Sequence, residues 1–318
     1  MYKTPFGNNF TWKLNDSILI DKLCSLYYDS SDFNNNRFPG PQPKSIERRN
    51  FHQLQNNAYW VCEKTDGLRF LFVCFLHDGR NYSFLVNRKN EIFLLNFELS
   101  TLNFNNTILD GELIKSNFDD SYHFLIFDAI IVNNIKLHTK LYHERMSFVD
   151  LVSDKYIKKS TDPFCITKKL VHKYDKTLHL SYNSMFNSDG FIFTPDSDHI
   201  QSGTHDNMFK FKKQLDNSVD FEINFENNFY VLYIGHKVLQ HNYINLHSSV
   251  LDHDILSHIR NVPHSIVECK FSHSHGRSNF WIPLLVRKDK NHSNSFFCFK
   301  KTMLNIHENI QLDELFPL

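Results

Sequence analysis

Hydrophobic and polar residues form short runs along the chain, separated by turn sequences such as Asp78-Gly79, and this pattern predicts a β-rich protein. The runs are rich in β-branched and aromatic residues, as strands usually are. Residues 30–50, which include Pro39-Gly40-Pro41, are predicted to be a loop. The candidate strands of this first part are AYWVCEK (58–64), LRFLFVCFLH (68–77), YSFLVN (82–87), EIFLLN (91–96), TILDGELI (107–114), HFLIFDAIIV (123–132), GFIFTP (190–195) and NMFKFKK (207–213).

A second set of strand-like runs begins at residue 219, and this restart predicts a second domain. Its members are VDFEINF (219–225), FYVLYIGHKV (229–238), SIVECKF (265–271) and FWIPLLV (280–286), roughly the content of a small five-stranded barrel. Helices are predicted at 140–153, 255–261 and 300–315. We therefore expect an α+β protein with a first domain at 1–220, a barrel domain at 221–299, and a helix at about 300–318 that is able to pack back on the first domain.

The composition supports a globular protein and limits its partners. Hydrophobic residues make up 41% of the 318 residues, and the 31 phenylalanines favour a β-rich core. The formal net charge is zero, so we expect any contact with nucleic acid to be local, short or transient. The chain has no run of about 18 apolar residues, which predicts that no helix spans a membrane.

The segment EKTDGLR (63–69) places Lys64 at the end of an apolar strand, just before a turn. An amine is a useful nucleophile only when it is neutral, and both burial and a neighbouring cation, such as Arg69, favour the neutral form. Gly67 permits tight backbone geometry at the turn. Taken alone, such a short motif is more often an ordinary hairpin turn with a surface lysine.

Two further segments place charged residues on one face of a strand. In TILDGEL (107–113), strand geometry puts Asp110 and Glu112 on the same face, where they need water, a cation or hydrogen-bond donors. The alternative for Asp110 is a solvated acid on a half-exposed strand. In MFKFKK (208–213), alternation puts Lys210 and Lys212 on one face and two phenylalanines on the other, so that both ammonium groups can point at an anion.

These segments resemble, in the same order, the motifs of the covalent nucleotidyltransferases, the superfamily of mRNA guanylyltransferases and of ATP- or NAD-dependent polynucleotide ligases. The resembling segments are KTDGLR (64–69), LDGEL (109–113), FLIFDA (124–129), SDGFIFTP (188–195), MFKFKK (208–213), SVDF (218–221) and, after Trp281, RKDKNHSN (287–294). Phe211 and Lys213 replace a tryptophan and a proline of the family pattern. FPGPQPKS (38–45), Thr65 and Asp289-Lys290 resemble the capping branch rather than the ligases.

The resemblance covers roughly residues 38 to 300 and implies a fold. That fold is a nucleotidyltransferase (ligase-like) domain with antiparallel sheets, followed by a C-terminal OB-fold domain. It also implies catalytic residues, namely Lys64, Arg69, Glu112, Lys210, Lys212, Arg287 and Lys290. The residues that it implies for nucleotide binding are Lys64, Thr65, Arg69, Glu112, Phe127, Lys169, Asp189, Lys210, Lys212, Asp220, Arg287, Asp289 and Lys290.

Several implied roles are specific. Lys64 carries the nucleotide, Phe127 stacks on the purine, and Glu112 contacts the ribose. Asp189 either faces the lysine or binds a metal, Mg²⁺ or Mn²⁺. The family reads guanine O6 with a lysine, for which we favour Lys169 over Lys168, because a cation favours guanine over adenine at that atom. A plain pair of surface lysines is an equally good interpretation of these two residues.

The resemblance implies an mRNA guanylyltransferase that moves GMP from GTP, through lysyl-GMP, to the 5′-diphosphate end of RNA. It implies as partners a separate RNA triphosphatase, a cap methyltransferase and the phosphorylated C-terminal tail of RNA polymerase II, and hence a nuclear location. The alternatives are an ATP-dependent polynucleotide ligase, a non-catalytic descendant that binds RNA or polymerase, and a purely structural β-rich scaffold.

Overall fold

The computed structural model describes residues 11–13, 16–28, 38–95, 104–159, 162–175, 185–197, 199–227, 229–235, 237–238, 253–274 and 277–316. The helices are α1 (Ser17–Tyr28), α2 (Phe51–Asn56), α3 (Tyr142–Lys155), α4 (His253–Asn261), α5 (Phe296–Glu308) and α6 (Leu312–Leu315), with 3₁₀ turns at Arg48–Asn50 and Gln214–Asp216.

The strands account for most of the remaining regular structure. They are β1 (Thr11–Lys13), β2 (Pro41–Ser45), β3 (Tyr59–Thr65), β4 (Leu68–His77), β5 (Arg80–Asn87), β6 (Ile92–Leu95), β7 (Thr107–Lys115), β8 (Tyr122–Val132), β9 (Ile135–Lys136), β10 (Cys165–Lys168), β11 (His172–Lys173), β12 (Ser188–Pro195), β13 (Gly203–Lys212), β14 (Ser218–Glu226), β15 (Phe229–Ile234), β16 (Lys237–Val238), β17 (Ser265–Ser274) and β18 (Arg277–Val286).

Three sheets organise these strands. The largest has the order β1-β6-β5-β4-β7-β8-β10, with β9 also paired to β8, and the second has the order β11-β3-β12-β13-β2. Neighbouring strands such as β4 and β7 run antiparallel, whereas β10 runs parallel to β8. The predicted α+β class with antiparallel sheets is therefore confirmed.

Strand β4 shows why some predicted strands lack alternation. Phe70 and Phe72 pack into one hydrophobic cluster with α3, whereas Leu71 and Val73 pack into another cluster with α1. Because both faces of β4 are buried, its sequence is a nearly continuous apolar run rather than an alternating one.

The prediction of a loop over residues 30–50 is wrong for its second half, and residues 30–37 lie outside the described part of the chain. Pro41–Ser45 forms β2, and the 3₁₀ turn at Arg48–Asn50 leads into α2. Strand β2 is at the edge of its sheet. Proline is tolerated there because it has no backbone N–H, and some N–H positions of an edge strand face no neighbouring strand. The proline-rich composition concealed this strand.

The predicted C-terminal helix begins earlier and is divided. Ser295 accepts a hydrogen bond from the backbone N–H of Cys298 and so starts α5 before residue 300. Asn309 has a left-handed backbone (φ 43°) and ends α5, so α6 is a separate short helix. The helix α1 was missed; Asp16 caps it by accepting from Ile18 N at 3.0 Å.

The described residues group into two compact units. The first comprises residues up to Lys44 and Phe51–Phe211, and the second comprises Ser45–Asn50 and the chain from Lys212 onward. The boundary predicted near 220 falls inside β14. The C-terminal helix groups with the second unit, where Ile306 joins its core. Its Lys301 pairs with Glu47, a residue of the segment that the sequence assigned to the first domain.

The second unit contains the third sheet, in the order β16-β15-β14-β17-β18. In chain order these are its third, second, first, fourth and fifth strands, with α4 between the third and the fourth, which is the arrangement of an OB-fold. Trp281 and Phe221 lie at its centre, with ring centroids 4.8 Å apart. Within the described part of the chain, no helix combines the length and the apolar character needed to cross a membrane.

Candidate active site

Lys64 lies at the end of β3, beside an irregular part of β12. The register between the two strands shifts between Ser188 and Phe191, so Asp189 lies where the regular ladder is interrupted. Lys64 Nζ donates to Asp189 Oδ1 at 2.6 Å, and each of the two side chains is 21% exposed to solvent. The predicted nucleophile therefore has a carboxylate at hydrogen-bond distance and stays accessible to solvent.

Glu112 is the centre of a largely buried polar cluster in the first unit. Its carboxylate accepts hydrogen bonds from the Thr65 hydroxyl and, at 3.2 Å, from the Gly67 backbone N–H. Lys169 Nζ lies 3.3 Å from Glu112 Oε2 and donates to Thr65 Oγ1 at 2.8 Å. A Cβ at Gly67 would lie 2.7 Å from Glu112 Cγ, which explains the glycine. The fold thus brings together three predicted binding residues, Thr65, Glu112 and Lys169, from separate segments.

Arg69 is paired with Asp110 rather than directed at Lys64. Its Nε and Nη2 donate to the two Asp110 carboxylate oxygens at 2.9 and 2.5 Å, and its Nη1 donates to the Pro41 carbonyl at 2.6 Å. Asp110 is only 1% exposed, so the alternative of a solvated acid is wrong. Desolvation raises the pKa of the Asp110 carboxyl, and the charge of Arg69 opposes this shift.

Phe127 is the residue that the β7–β8 register skips, since Asp110 pairs with Asp128 and Gly111 pairs with Ile126. Such an irregularity re-aims a side chain, and Phe127 is only half-buried although Ile126 is completely buried. Its ring centroid lies 5.2 Å from Arg69 Cζ and 5.6 Å from Lys169 Nζ. Phe127 is thus a partly exposed aromatic ring close to two cations.

The structure gives Lys168 and Lys169 different surroundings, whereas the sequence left the choice between them open. Lys168 Nζ donates to Asp150 Oδ1 at 2.5 Å, and both side chains are partly exposed at the surface. Lys169 is only 7% exposed and belongs to the cluster of Thr65 and Glu112. The preference for Lys169 as a site residue agrees with this placement, and its guanine-reading role stays a prediction.

Strand β13 carries Lys210 and Lys212 as the alternation predicts. Phe209 and Phe211 are buried, at 0% and 2% exposure, whereas both lysines are half-buried on the other face. Strand β13 is the neighbour of β12, the strand that holds Asp189.

In the second unit, Asp220 gathers the residues of the last motif. Its carboxylate accepts from Arg287 Nη1 at 3.2 Å, from Lys290 Nζ, and from Asn294 Nδ2 at 3.4 Å. Arg287 also binds Asp289, with Nη2 2.8 Å from Oδ2. The hydrogen bond from Arg287 lowers the pKa of the Asp289 carboxyl to about 2. Arg287 and Lys290, which were predicted to bind the nucleotide, are thus held by carboxylates of their own unit.

Comparison with known families settles where the chain belongs. A family model described as "mRNA capping enzyme, catalytic domain" matches residues 15–214, and one described as "mRNA capping enzyme, C-terminal domain" matches residues 203–316. The chain belongs to the mRNA capping enzyme family.

Named relatives in this family are moderately similar. An "mRNA-capping enzyme" of Danio rerio is 27% identical over 87% of this chain and 48% of its own length. An "mRNA-capping enzyme subunit alpha" of Yarrowia lipolytica is 31% identical over 58% of this chain and 53% of its own length. The chain thus spans about half the length of these relatives. A solved structure, "mycobacterial DNA ligase D complexed with ATP and MES", aligns with a TM-score of 0.43 and 12% identity over 80% of this chain and 96% of that chain.

Two features of this capping-family site were not predicted. The first is Arg88, an exposed residue that follows β5 and whose charge interacts with those of Arg69, Asp110 and Glu112. Partial desolvation of its guanidinium lowers its pKa most, and the like charge of Arg69 lowers it further. Its sequence context, NRKN (87–90), is an ordinary polar turn and carries no signal of a site.

The second unpredicted feature is a buried ion pair behind Phe127. Arg145 Nε donates to Asp128 Oδ1 at 2.7 Å, and Tyr142 donates its hydroxyl to the Phe127 carbonyl at 2.9 Å. Both residues come from α3. An arginine among the apolar positions of KLYHERMSFVDLVS (140–153) was the available signal, because a core-facing charge needs a buried partner.

Proposed function

We propose that the protein is an mRNA guanylyltransferase, which takes GMP from GTP on Lys64 and passes it to the 5′-diphosphate end of RNA to form a GpppN cap. The observation that carries this proposal is the partly exposed Lys64, whose Nζ lies 2.6 Å from Asp189 Oδ1, in a chain of the capping family. The adjoining cluster of Thr65, Glu112 and Lys169 supplies the polar groups that a nucleotide needs.

In the first half-reaction, neutral Lys64 Nζ attacks the α-phosphorus of GTP. A P–N bond forms, the bond from the α-phosphorus to the bridging oxygen breaks, and pyrophosphate leaves. Asp189 is at the right distance to accept the proton that Nζ loses. In the second half-reaction a β-phosphate oxygen of RNA attacks the lysyl-GMP, the P–N bond breaks, and Lys64 takes back a proton.

Further residues of the first unit bind and orient the nucleotide, together with Lys212, the first residue of the second unit after β13 leaves the first. Phe127 offers its partly open ring to the guanine, and Lys169, 5.6 Å from the centre of that ring, provides a cation for guanine O6. Glu112 accepts hydrogen bonds from the ribose hydroxyls. Lys210 and Lys212, on one face of β13, stabilise the charge of the transferring phosphoryl group.

In the second unit, Arg287 and Lys290 bind the β- and γ-phosphates. Both now pair with Asp220, and Arg287 also pairs with Asp289. Phosphate therefore competes with these carboxylates, so part of the attraction to GTP is offset by the ion pairs that it replaces.

A divalent cation fits the site as a companion of the substrate. Among the described residues, no three His, Cys, Asp or Glu side chains gather as a metal site. Mg²⁺ or Mn²⁺ would be held mainly by substrate phosphates and water, with Asp189 as the protein carboxylate, an arrangement usual for Mg²⁺. When bound, it would neutralise charge on the phosphates.

The family also supports proposals about partners. The name of the Yarrowia lipolytica relative, a subunit alpha, supports a separate subunit for another step of capping. We assign the triphosphatase and methyltransferase steps to separate proteins, with the phosphorylated tail of RNA polymerase II as a docking partner in the nucleus.

Incubation with GTP or ATP labelled at the α-phosphate, followed by a denaturing gel, tests the proposal. We expect label on the wild-type protein from GTP and none on Lys64→Ala. Label retained from ATP alone would mean a ligase, and cap formation unchanged in Lys64→Ala would mean that Lys64 is not the nucleophile.

A further inference from the structure

The four residues Phe38-Pro39-Gly40-Pro41, which we call the FPGP segment, enclose the Arg69 side chain. The Phe38 ring centroid lies 5.1 Å from Arg69 Cζ, and the Pro41 carbonyl accepts from Arg69 Nη1 at 2.6 Å. Phe38 is only 5% exposed, so its position is fixed by the hydrophobic cluster around it. A backbone acceptor and a buried ring thus hold the guanidinium from one side.

Gly40 lies against the ion pair itself. A Cβ at this position would overlap Arg69 Nη2 and Asp110 Oδ2, and would lie 2.7 Å from Phe38 Cε1. Its φ is not in the left-handed region, so the glycine is required by the close approach and not by the backbone conformation. Any side chain at residue 40 would therefore push on Arg69.

Arg69 in turn connects the FPGP segment to Phe127. Its guanidinium lies 5.1 Å from the Phe38 ring and 5.2 Å from the Phe127 ring. Three of its N–H groups are used by Asp110 and Pro41, and Asp110 is completely buried, so the pair has little freedom to move. The position of Arg69 thus bears directly on the ring that we assign to the guanine.

We infer that the FPGP segment is a positioning device for nucleotide binding, in which Gly40 and Phe38 act through Arg69 on Phe127. This inference rests on the proposed function. It assigns to residues 38–41 a task that a surface loop would not have, namely fixing an internal cation at the nucleotide site. Gly40 is a positioning residue, since it reaches the nucleotide only through Arg69.

The test compares Gly40→Ala in the wild-type and in the Arg69→Lys background, with GTP affinity measured by calorimetry without metal, so that turnover is not needed. Lysine lacks Nη2, so in this background the new methyl group meets Asp110 and Phe38 but no guanidinium that it could displace against Phe127. We expect Gly40→Ala to weaken GTP binding about tenfold in the wild type and less than about twofold with Arg69→Lys, because contacting residues are coupled.

Gly79→Ala is the matched control. Gly79 lies in a hairpin turn with φ +72°, where a Cβ would meet nothing within 4 Å. The substitution costs stability through backbone strain alone, so we expect a lower melting temperature with unchanged GTP affinity. If it weakened GTP binding as much as Gly40→Ala, general destabilisation would explain both and the inference would fail.

Phe38→Leu provides a second variant that keeps the hydrophobic cluster filled but removes the ring from Arg69. We expect weaker GTP binding, by less than Gly40→Ala causes. Unchanged affinity in both variants, or equal losses for Gly40→Ala in the two backgrounds, would overturn the inference. Wild-type protein that binds GTP but forms no adduct would instead contradict the proposed function.

Discussion

The hydrogen bond from Lys64 to Asp189 is the contact between single residues on which the proposed chemistry depends most. Two carboxylates are candidates to take the proton of Lys64, namely Asp66 two residues further along the chain and Asp189 in SDGFIFTP (188–195), and the sequence alone does not separate their roles. The structure does: Asp189 accepts from Nζ, whereas Asp66 is exposed. Asp189 is therefore the better candidate for the group that takes the lysine proton.

The substitution Asp189→Asn tests this assignment. An amide keeps a hydrogen-bonding side chain but is a far weaker proton acceptor, so we expect lysyl-GMP formation to slow by about 10²-fold, the lower end for general base catalysis. Asp66→Asn makes the same chemical change on the exposed neighbour and should slow it much less. Single-turnover kinetics with labelled GTP measures both, and equal effects would remove Asp189 from this role.

Asp289 offers a test by pH. Its carboxyl has a pKa of about 2 because Arg287 donates to it. The contribution of this pair to stability is therefore fully present above the ordinary aspartate pKa of about 3.9 and is lost as the pH falls through about 2. Carboxyl NMR titration should show this value, and Arg287→Gln should raise it; a normal value in the wild type would contradict the observed pairing.

At the scale of elements, β8 and α3 together hold the aromatic face of the site. The skipped register at Phe127 turns its ring out of the core, and α3 fixes the strand from behind with Arg145 and Tyr142. Arg145 and Asp128 are 3% and 5% exposed at the side chain, so their pair is fully buried.

Arg145→Ala should therefore destabilise the protein strongly. Removal of one partner leaves the Asp128 charge buried without compensation, a change that usually costs about 3–5 kcal/mol. Lys168→Ala breaks the more exposed pair with Asp150 and should cost at most about 1 kcal/mol. Urea unfolding measures both, and a loss for Arg145→Ala no larger than that of the control would contradict the buried pair.

The sequence predicted elements well where one face or both faces of a strand had to be apolar, as in β4, β7 and β13. It failed where local chemistry decides the outcome. The strand β2 is rich in proline, α5 starts at a serine cap, and α6 is separated by a left-handed asparagine. None of these features produces a hydrophobic period.

The site was predictable to the extent that its residues lie in short motifs. Lys64, Glu112 and Phe127 were predicted in this way from the family resemblance, and the structure places each of them in the first unit. The pairing of Arg69 with Asp110, the charge of Arg88 nearby and the support from Arg145 depend on long-range contacts, which pattern and spacing do not encode.

At the scale of the whole molecule, the two units correspond to two family models. The catalytic-domain match ends at residue 214 and the C-terminal match begins at 203, so both include the whole of β13 and the change of unit after Phe211. Each unit has its own hydrophobic core and its own predicted nucleotide-binding cations. The capping reaction as proposed needs groups from both.

The most direct measurement is peptide mapping by mass spectrometry after incubation with GTP and Mg²⁺, followed by a chase with 5′-diphosphate RNA. The account predicts one GMP, attached to the peptide that contains Lys64, and its disappearance in the chase as GpppN-RNA forms. Guanylate on a different residue, or cap formation with Lys64 never modified, would contradict it.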